Sequence, residues 1–540
     1  MAKRRKKKTR REGAPGLHDP SRPQSRTRIR PAVERSSEAP RSAPAEGAPP
    51  TLPLDAPRLA AIEQRLKAWP SARVPLAERV HVNRNLRMDR VTAVGFDMDY
   101  TLAVYAGREI ERLAYGMALE RMIEAHGRPQ WLRELRYRPE LTIRGLVVDK
   151  KEGNVLKIDA HGHVARVFHG LRRLDKEERI RLYRSQKIRL STERYEWIDT
   201  LFALPEGVLY QQLVEGYEAR GEAFDPAAIY DEIRASIDSL HRDGSLKEVI
   251  KGDLPRYIER NPLLGPTLHR LRSGGKRIFL LTNSYWDYTE AVMEHLLDGL
   301  LPEYESWRSY FDAVVVGASK PGFFSEREPF LEVDPGNGEV ATVPATELHR
   351  GRVYQGGNLA EFEAYTDWRG DRVLYVGDHI YGDMLRSKRS GMWRTAMIVA
   401  ELEREILLLE ERKEDWARLK YLEDLRDRLD DAISAQKGRV SALEKQGVAE
   451  TFRAAKLELE GLRASLHEVL AGSEALSKAL RDEANPYWGL IFKDGNENSR
   501  FGDQVRDYSC VYMSRVTDLR HYSPVQYFRA PWDSMPHEGL

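Results

Sequence analysis

The chain has 540 residues, 41% of them apolar and 31% charged, which suits about two to four water-soluble structural units. No apolar run approaches the ~20 residues of a membrane helix, and the N-terminus lacks the apolar core of a secretory signal. The single cysteine, Cys510, excludes a disulfide framework and a cysteine-rich metal site, so the composition predicts a cytoplasmic protein.

The net charge of +2 conceals an asymmetry: residues 1–41 carry fourteen Lys and Arg against four Asp and Glu, leaving an acidic body. Residues 1–55 combine this charge with Pro, Ser and Ala and few large apolar side chains, a composition that predicts disorder. A basic arm of this kind could bind nucleic acid. No aromatic residue is interleaved to stack on bases, so a solubilising tail is the favoured reading.

The first buried strand is predicted at Val91-Thr-Ala-Val-Gly-Phe96, and Asp97-Met-Asp99 follows it at once. Three further β-branched or aromatic runs come much later: Arg277–Leu281, Ala313–Val316 and Val373–Val376. Helical patterns separate them, which predicts a parallel α/β sheet with its ligands at the carboxyl ends of the strands. The core is therefore predicted over 56–105 and 251–400, with 106–250 as an inserted cap able to cover the site and select the substrate. Within the cap, residues 142–169 read as short strands turning at Gly153 and Gly162, and 192–250 as helices. Residues 401–485 carry apolar positions at helical spacing with a break at Gly447, predicting a helical hairpin packed on the body or on a sister subunit. The aromatic-rich segment 486–540 is expected to dock on the core.

The chemistry sits at the four predicted strand ends. Asp97 and Asp99 in one crevice repel each other, and a divalent cation relieves that repulsion while orienting an anion. Oxygen ligands without Cys or His favour magnesium over zinc. One aspartate can attack phosphorus, and the other can protonate the leaving oxygen and later activate water. Thr282, Asn283 and Ser284 follow the second strand with groups suited to phosphoryl oxygens, although Thr282 or Ser284 would serve equally as a helix N-cap. Lys320 follows the third strand and can neutralise phosphate charge. Asp378 and Asp383 follow the fourth and add acid to the metal. Each element alone is a weak signal, and their order is what makes the set strong.

That order, Asp-x-Asp-x-Thr, then Thr, Lys and Gly-Asp-x-x-x-x-Asp, resembles the haloacid dehalogenase superfamily. The resemblance implies a Rossmann-like core with Asp97 as nucleophile and Asp99 as general acid/base. It also implies Thr282 and Lys320 as phosphoryl ligands and Mg2+ held by Asp97, Asp99 (also through its backbone carbonyl), Asp378 and Asp383. Further segments, Gly95 to Tyr105, Arg144-Gly-Leu-Val147, Thr200 to Pro205, Gly244 to Glu248, Gly377 to Asp383 and Met535 to Glu538, are similar to the cytosolic purine 5'-nucleotidases.

This narrower resemblance implies hydrolysis of purine nucleoside 5'-monophosphates, with IMP or GMP as the type, and phosphate transfer to another nucleoside as a further activity. Phe202, Arg234, His241 and Lys247 then surround the nucleoside, and the chain forms a dimer or tetramer. Ala203 stands where vertebrate members carry an asparagine beside the base, which leaves the base preference open. Arg189, Tyr381, Lys388, Arg389 and Gln504 resemble parts of that family's nucleotide effector site. Trp197 and Asp199 depart from it, so weak or absent activation by ATP is expected. The competing readings are a phosphatase for another phosphomonoester and, outside enzymes, an RNA-binding or scaffold protein built on the tail and hairpin.

Overall fold

The computed structural model describes residues 55–67, 74–186, 188–189, 192–533 and 536–538. The tail read as disordered lies almost wholly outside the described residues. Helix Ala56–Lys67 belongs to a first unit ending at Ala72, and a second unit runs from Arg73 to Leu540. The core boundary read from the sequence at residue 56 thus falls inside the first unit.

A ten-stranded sheet organises the second unit. Its centre is Ala93–Phe96, buried along its whole length and flanked in parallel by Val373–Gly377 and Arg277–Leu281. Ala313–Val316 and Val353–Gly356 extend it in parallel on one side, where an antiparallel pair, Phe330–Val333 and Val340–Pro344, finishes that edge. On the other side come Arg394–Ile398 and Val511–Met513, both parallel, and then His81–Val82, antiparallel. The four predicted strands are therefore the contiguous middle of the sheet, and their carboxyl ends converge. Val511–Met513 comes from the docked C-terminal segment, which enters the main sheet instead of only covering it.

Near-continuous Val, Ile, Leu and Phe along these strands match a sheet covered on both faces. Gly95 permits the central packing: a Cβ there would lie 2.1 Å from the ring of Phe279. That ring in turn packs among Phe362, Trp368, Tyr375 and Trp393.

The insertion leaves and re-enters the core side by side, because Val104–Tyr105 pairs antiparallel with Ile258–Glu259. Within it, strands 146–149, 154–158 and 164–169 turn at Gly153 and Gly162, both with positive φ. Tyr195–Ile198 adds to this sheet, where a mainly helical stretch was expected. Helices Gly107–His126, Leu204–Arg220 and Pro226–Arg242 pack together beside it. Asp225 accepts the N–H of Ala227, and Pro226 occupies the first turn, so the last of these helices starts where its sequence says it should.

The hairpin consists of Lys413–Gln446 and Ala449–Ala484, reversing at Gly447 with φ 71°. A separate helix, Leu402–Glu411, precedes it and buries Leu402 and Ile406 in the body. Among the described residues no helix is long and apolar enough to cross a membrane.

Candidate active site

Asp97 ends the central strand and its N–H bonds the carbonyl of Val376, so the first and fourth motif strands are tied at the catalytic loop. The chain then turns sharply. The carbonyl of Met98 accepts N–H groups from Leu102 and Ala103, and Tyr100 takes a left-handed φ of 54°. This turn aims the two aspartates differently. The carboxylates of Asp97, Asp378 and Asp383 form a buried group whose ligand oxygens lie within 4.8 Å of one another. The Asp99 side chain is outside that group: Oδ1 accepts the Tyr105 hydroxyl at 2.6 Å and Oδ2 accepts the Ser284 hydroxyl at 2.7 Å.

Lys320 stands between the acids, with Nζ 3.0 Å from Asp97 Oδ1 and 2.8 Å from Asp383 Oδ1, and it donates to the Tyr375 hydroxyl at 2.9 Å. Asn283 fixes it from behind, accepting the Lys320 N–H at 2.6 Å and donating to the Lys320 carbonyl at 2.9 Å. Asp383 approaches the fourth strand closely because Gly377 has no side chain; a Cβ there would lie 2.5 Å from Asp383 Oδ2.

Burial pushes the Asp97 carboxyl well up, with Lys320 opposing, and it pushes Asp378 up to about 7. Burial also works against the charge of Lys320, but Asp383 and Asp97 outweigh it and hold the ammonium well above its ordinary value. Lys320 thus pairs with two of the three buried carboxylates.

Thr282 is fully buried. Its Oγ1 accepts the N–H of Ser284 two residues on, closing the turn before helix Trp286–Leu297; that helix has no side-chain cap, so Thr282 does not fill the N-cap role read as its alternative. Ser284 takes the more central position: besides its bond to Asp99 it accepts from Lys247 Nζ at 3.1 Å, which links the cap to the catalytic loop.

The cavity over these residues has a volume of about 900 Å3, and the cap supplies its far wall. Phe202 packs edge-on against Tyr100 at 4.6 Å, with His241 at 5.4 Å on the cap side. Burial, and then the Lys247 charge, lower the pKa of His241. Arg234 donates to both oxygens of Glu206 at 2.9 Å; burial pushes that carboxyl up to about 7. Ala203 also lines this wall.

Sequence reasoning missed several contributors. Tyr375 and Tyr288 are hydroxyl-bearing strand and helix residues with no local signal, yet they bond Lys320 and Tyr105 respectively. Arg144, fully buried, donates to both oxygens of Glu401 at 2.8 and 2.5 Å and to the backbone carbonyl of Asp378 at 3.2 Å. Asp199, read as a departure from the effector site, faces His379 at 3.6 Å. Burial opposes a charged imidazole there, but Asp199 outweighs it and raises His379 to about 9.

This geometry agrees with what the chain is similar to. The profile of the 5' nucleotidase family matches residues 80–539. The chain belongs to the 5' nucleotidase family. A 5'-nucleotidase domain-containing protein of Dictyostelium discoideum is 30% identical over 466 residues, covering 85% of this chain and 74% of the relative. The human 5'-nucleotidase domain-containing protein 2 is 30% identical over 456 residues, covering 82% of each. Among solved structures, CbbY from Rhodobacter sphaeroides aligns with 57% of this chain and 86% of its own at 16% identity and a TM-score of 0.21. That score carries no weight, and the fold assignment rests on the strand order above. The family membership makes this chain a 5'-nucleotidase, whose reaction is hydrolysis of nucleotide 5'-phosphates.

Proposed function

We propose that this 5'-nucleotidase family member hydrolyses purine nucleoside 5'-monophosphates through an aspartyl-phosphate on Asp97. One observation carries the reading: Asp97 lies beside Lys320 on the cavity floor, while Asp99 is held apart from the acid cluster by two hydroxyl donors. An Asp97 oxygen attacks phosphorus as the bond to the nucleoside O5' breaks, and Asp99 delivers the proton to that oxygen. Asp99 then takes a proton from water, whose oxygen attacks the acyl phosphate and releases inorganic phosphate. A second nucleoside hydroxyl in place of water gives phosphate transfer.

The donor set suits a hard divalent cation, since three buried carboxylates converge and Lys320 pairs with only two of them, Asp97 and Asp383. Asp97, Asp378 and Asp383 would hold Mg2+, which when bound neutralises the carboxylates and the phosphate oxygens. Phe202 and His241 support a flat base in the cap, and Lys247 reaches toward the phosphate end through Ser284. The exposed Tyr421 and Leu457 of the hairpin support self-association, which light scattering tests.

Asp97→Asn, nearly isosteric, keeps the fold while removing the nucleophile. Magnesium-dependent release of phosphate from IMP should be lost in this variant, and in the parent on adding EDTA. Undiminished turnover by the variant sinks the mechanism, and equal rates on pyrimidine and sugar phosphates sink the purine assignment.

A further inference from the structure

A second cavity of about 880 Å3 lies where the hairpin joins the body, and it shares no residue with the catalytic cavity. It also contains none of the residues resembling an effector site. Its volume falls within the range of about 300–1,000 Å3 usual for ligand pockets.

Its lining divides by chemistry. Helix Leu402–Glu411 gives it Leu402, Ile406 and Leu409, and the hairpin gives Trp416 and Leu419. The body contributes an aromatic wall in which His81 stacks on Tyr512 at 5.1 Å and Phe492 follows at 6.1 Å. Two buried ring nitrogens in this lining, Trp416 Nε1 and His81 Nε2, have no hydrogen-bond partner among the described residues. A satisfied interior rarely leaves such groups, and a bound molecule would supply acceptors or donors for them.

The charges complete the pattern. The side chains of Lys420, Arg481 and Lys493 line the cavity and make no hydrogen bond or ion pair with any described residue. Of the two acids in the lining, Glu405 already accepts the backbone N–H groups of Ile491 and Phe492, so its oxygens are committed; only Glu423 stands uncommitted against three cations. We propose that this cavity is a binding site for a small flat aromatic anion, its ring system packed among Trp416, Phe492 and Tyr512 and its acidic group turned to Lys420 and Arg481.

The test uses 8-anilinonaphthalene-1-sulfonate and its uncharged counterpart N-phenyl-1-naphthylamine. Each is titrated by fluorescence into the full chain with saturating inorganic phosphate and magnesium present, so that the phosphate end of the catalytic cavity is occupied. The expected result is one saturable site that binds the sulfonate about tenfold more tightly than the neutral compound, the gain of a charge-assisted hydrogen bond. Leu409→Trp, which fills the cavity, should weaken both ligands at least about tenfold. The double variant Lys420→Met/Arg481→Met should erase the preference for the sulfonate while leaving the neutral compound's affinity unchanged. These three side chains are at least partly exposed, so urea midpoints near the parent's are expected. The proposal is overturned by an absence of saturable binding under these conditions, by a Leu409→Trp variant that binds both compounds as the parent does, or by a preference for the sulfonate that survives the double variant.

Discussion

Lys320→Met tests the electrostatic core of the site. Among the described residues the ammonium is the only cation bonded to the carboxylates of Asp97 and Asp383, at 3.0 and 2.8 Å, and its side chain is 4% exposed. Methionine keeps the length and packing but leaves the buried acids without their counter-charge. Removing one partner of such a buried pair costs about 3–5 kcal/mol when the remaining charge cannot escape. Here the charge can escape by protonation: burial already pushes Asp97 well up, and Lys320 is what opposes it. The variant should therefore fold with Asp97 held protonated to higher pH than in the parent. Its native state then binds more protons than its unfolded state, so stability falls as pH rises through the raised pKa values. With Lys320 no longer opposing the effect of burial on Asp97, the acidic limb of the pH–rate profile should move upward. Loss of a charge that stabilises the developing phosphoryl oxygens adds a drop in kcat of about 10²–10³-fold. The assay is phosphate release from IMP across pH 5 to pH 9, beside urea unfolding at the same pH values. An unmoved acidic limb with less than a threefold loss of kcat would refute the reasoning.

Three further outcomes are expected. Arg144→Met strands Glu401 and the Asp378 carbonyl and should cost about 3–5 kcal/mol by urea unfolding, whereas Arg144→Met/Glu401→Met should recover much of it; a double variant no more stable than the single one counts against the pair. Phe202→Ala removes a ring wedged between Tyr100 and His241, and should raise KM for IMP about tenfold or more with little effect on hydrolysis of a small aryl phosphate. Burial holds the Glu206 carboxyl at about 7, above its ordinary value, so it contributes instability that grows as pH rises from about 4.5 to about 7. Glu206→Gln should accordingly gain stability relative to the parent at pH 8 compared with pH 5, and urea midpoints that differ equally at both values would contradict this.

The catalytic residues were legible because each lies at the end of a short β-branched run, and a parallel sheet brings such ends together whatever the intervening chain does. Asp97, Lys320, Asp378 and Asp383 could be placed in this way. The cap was legible as a length anomaly between the first and second strands, and the hairpin as a helical apolar spacing interrupted at Gly447. Thr282 shows the limit of this reading. Its local pattern fitted both a ligand and a cap, and only the packed structure turns its hydroxyl to the Ser284 N–H and gives Ser284 the bond to Asp99.

By itself, then, the sequence determined which side chains meet at the strand ends and the middle of the sheet, since both follow from residue type and short-range periodicity. Tertiary structure alone decided what depends on partners far apart in the chain. The Val511–Met513 strand enters the sheet more than 100 residues after its neighbour Arg394–Ile398, and Arg144 finds Glu401 and Asp378 across the cap boundary. No local pattern encodes such pairings. They are selected because a buried strand edge or a buried guanidinium must find hydrogen-bond partners, and only the completed fold determines which ones are within reach.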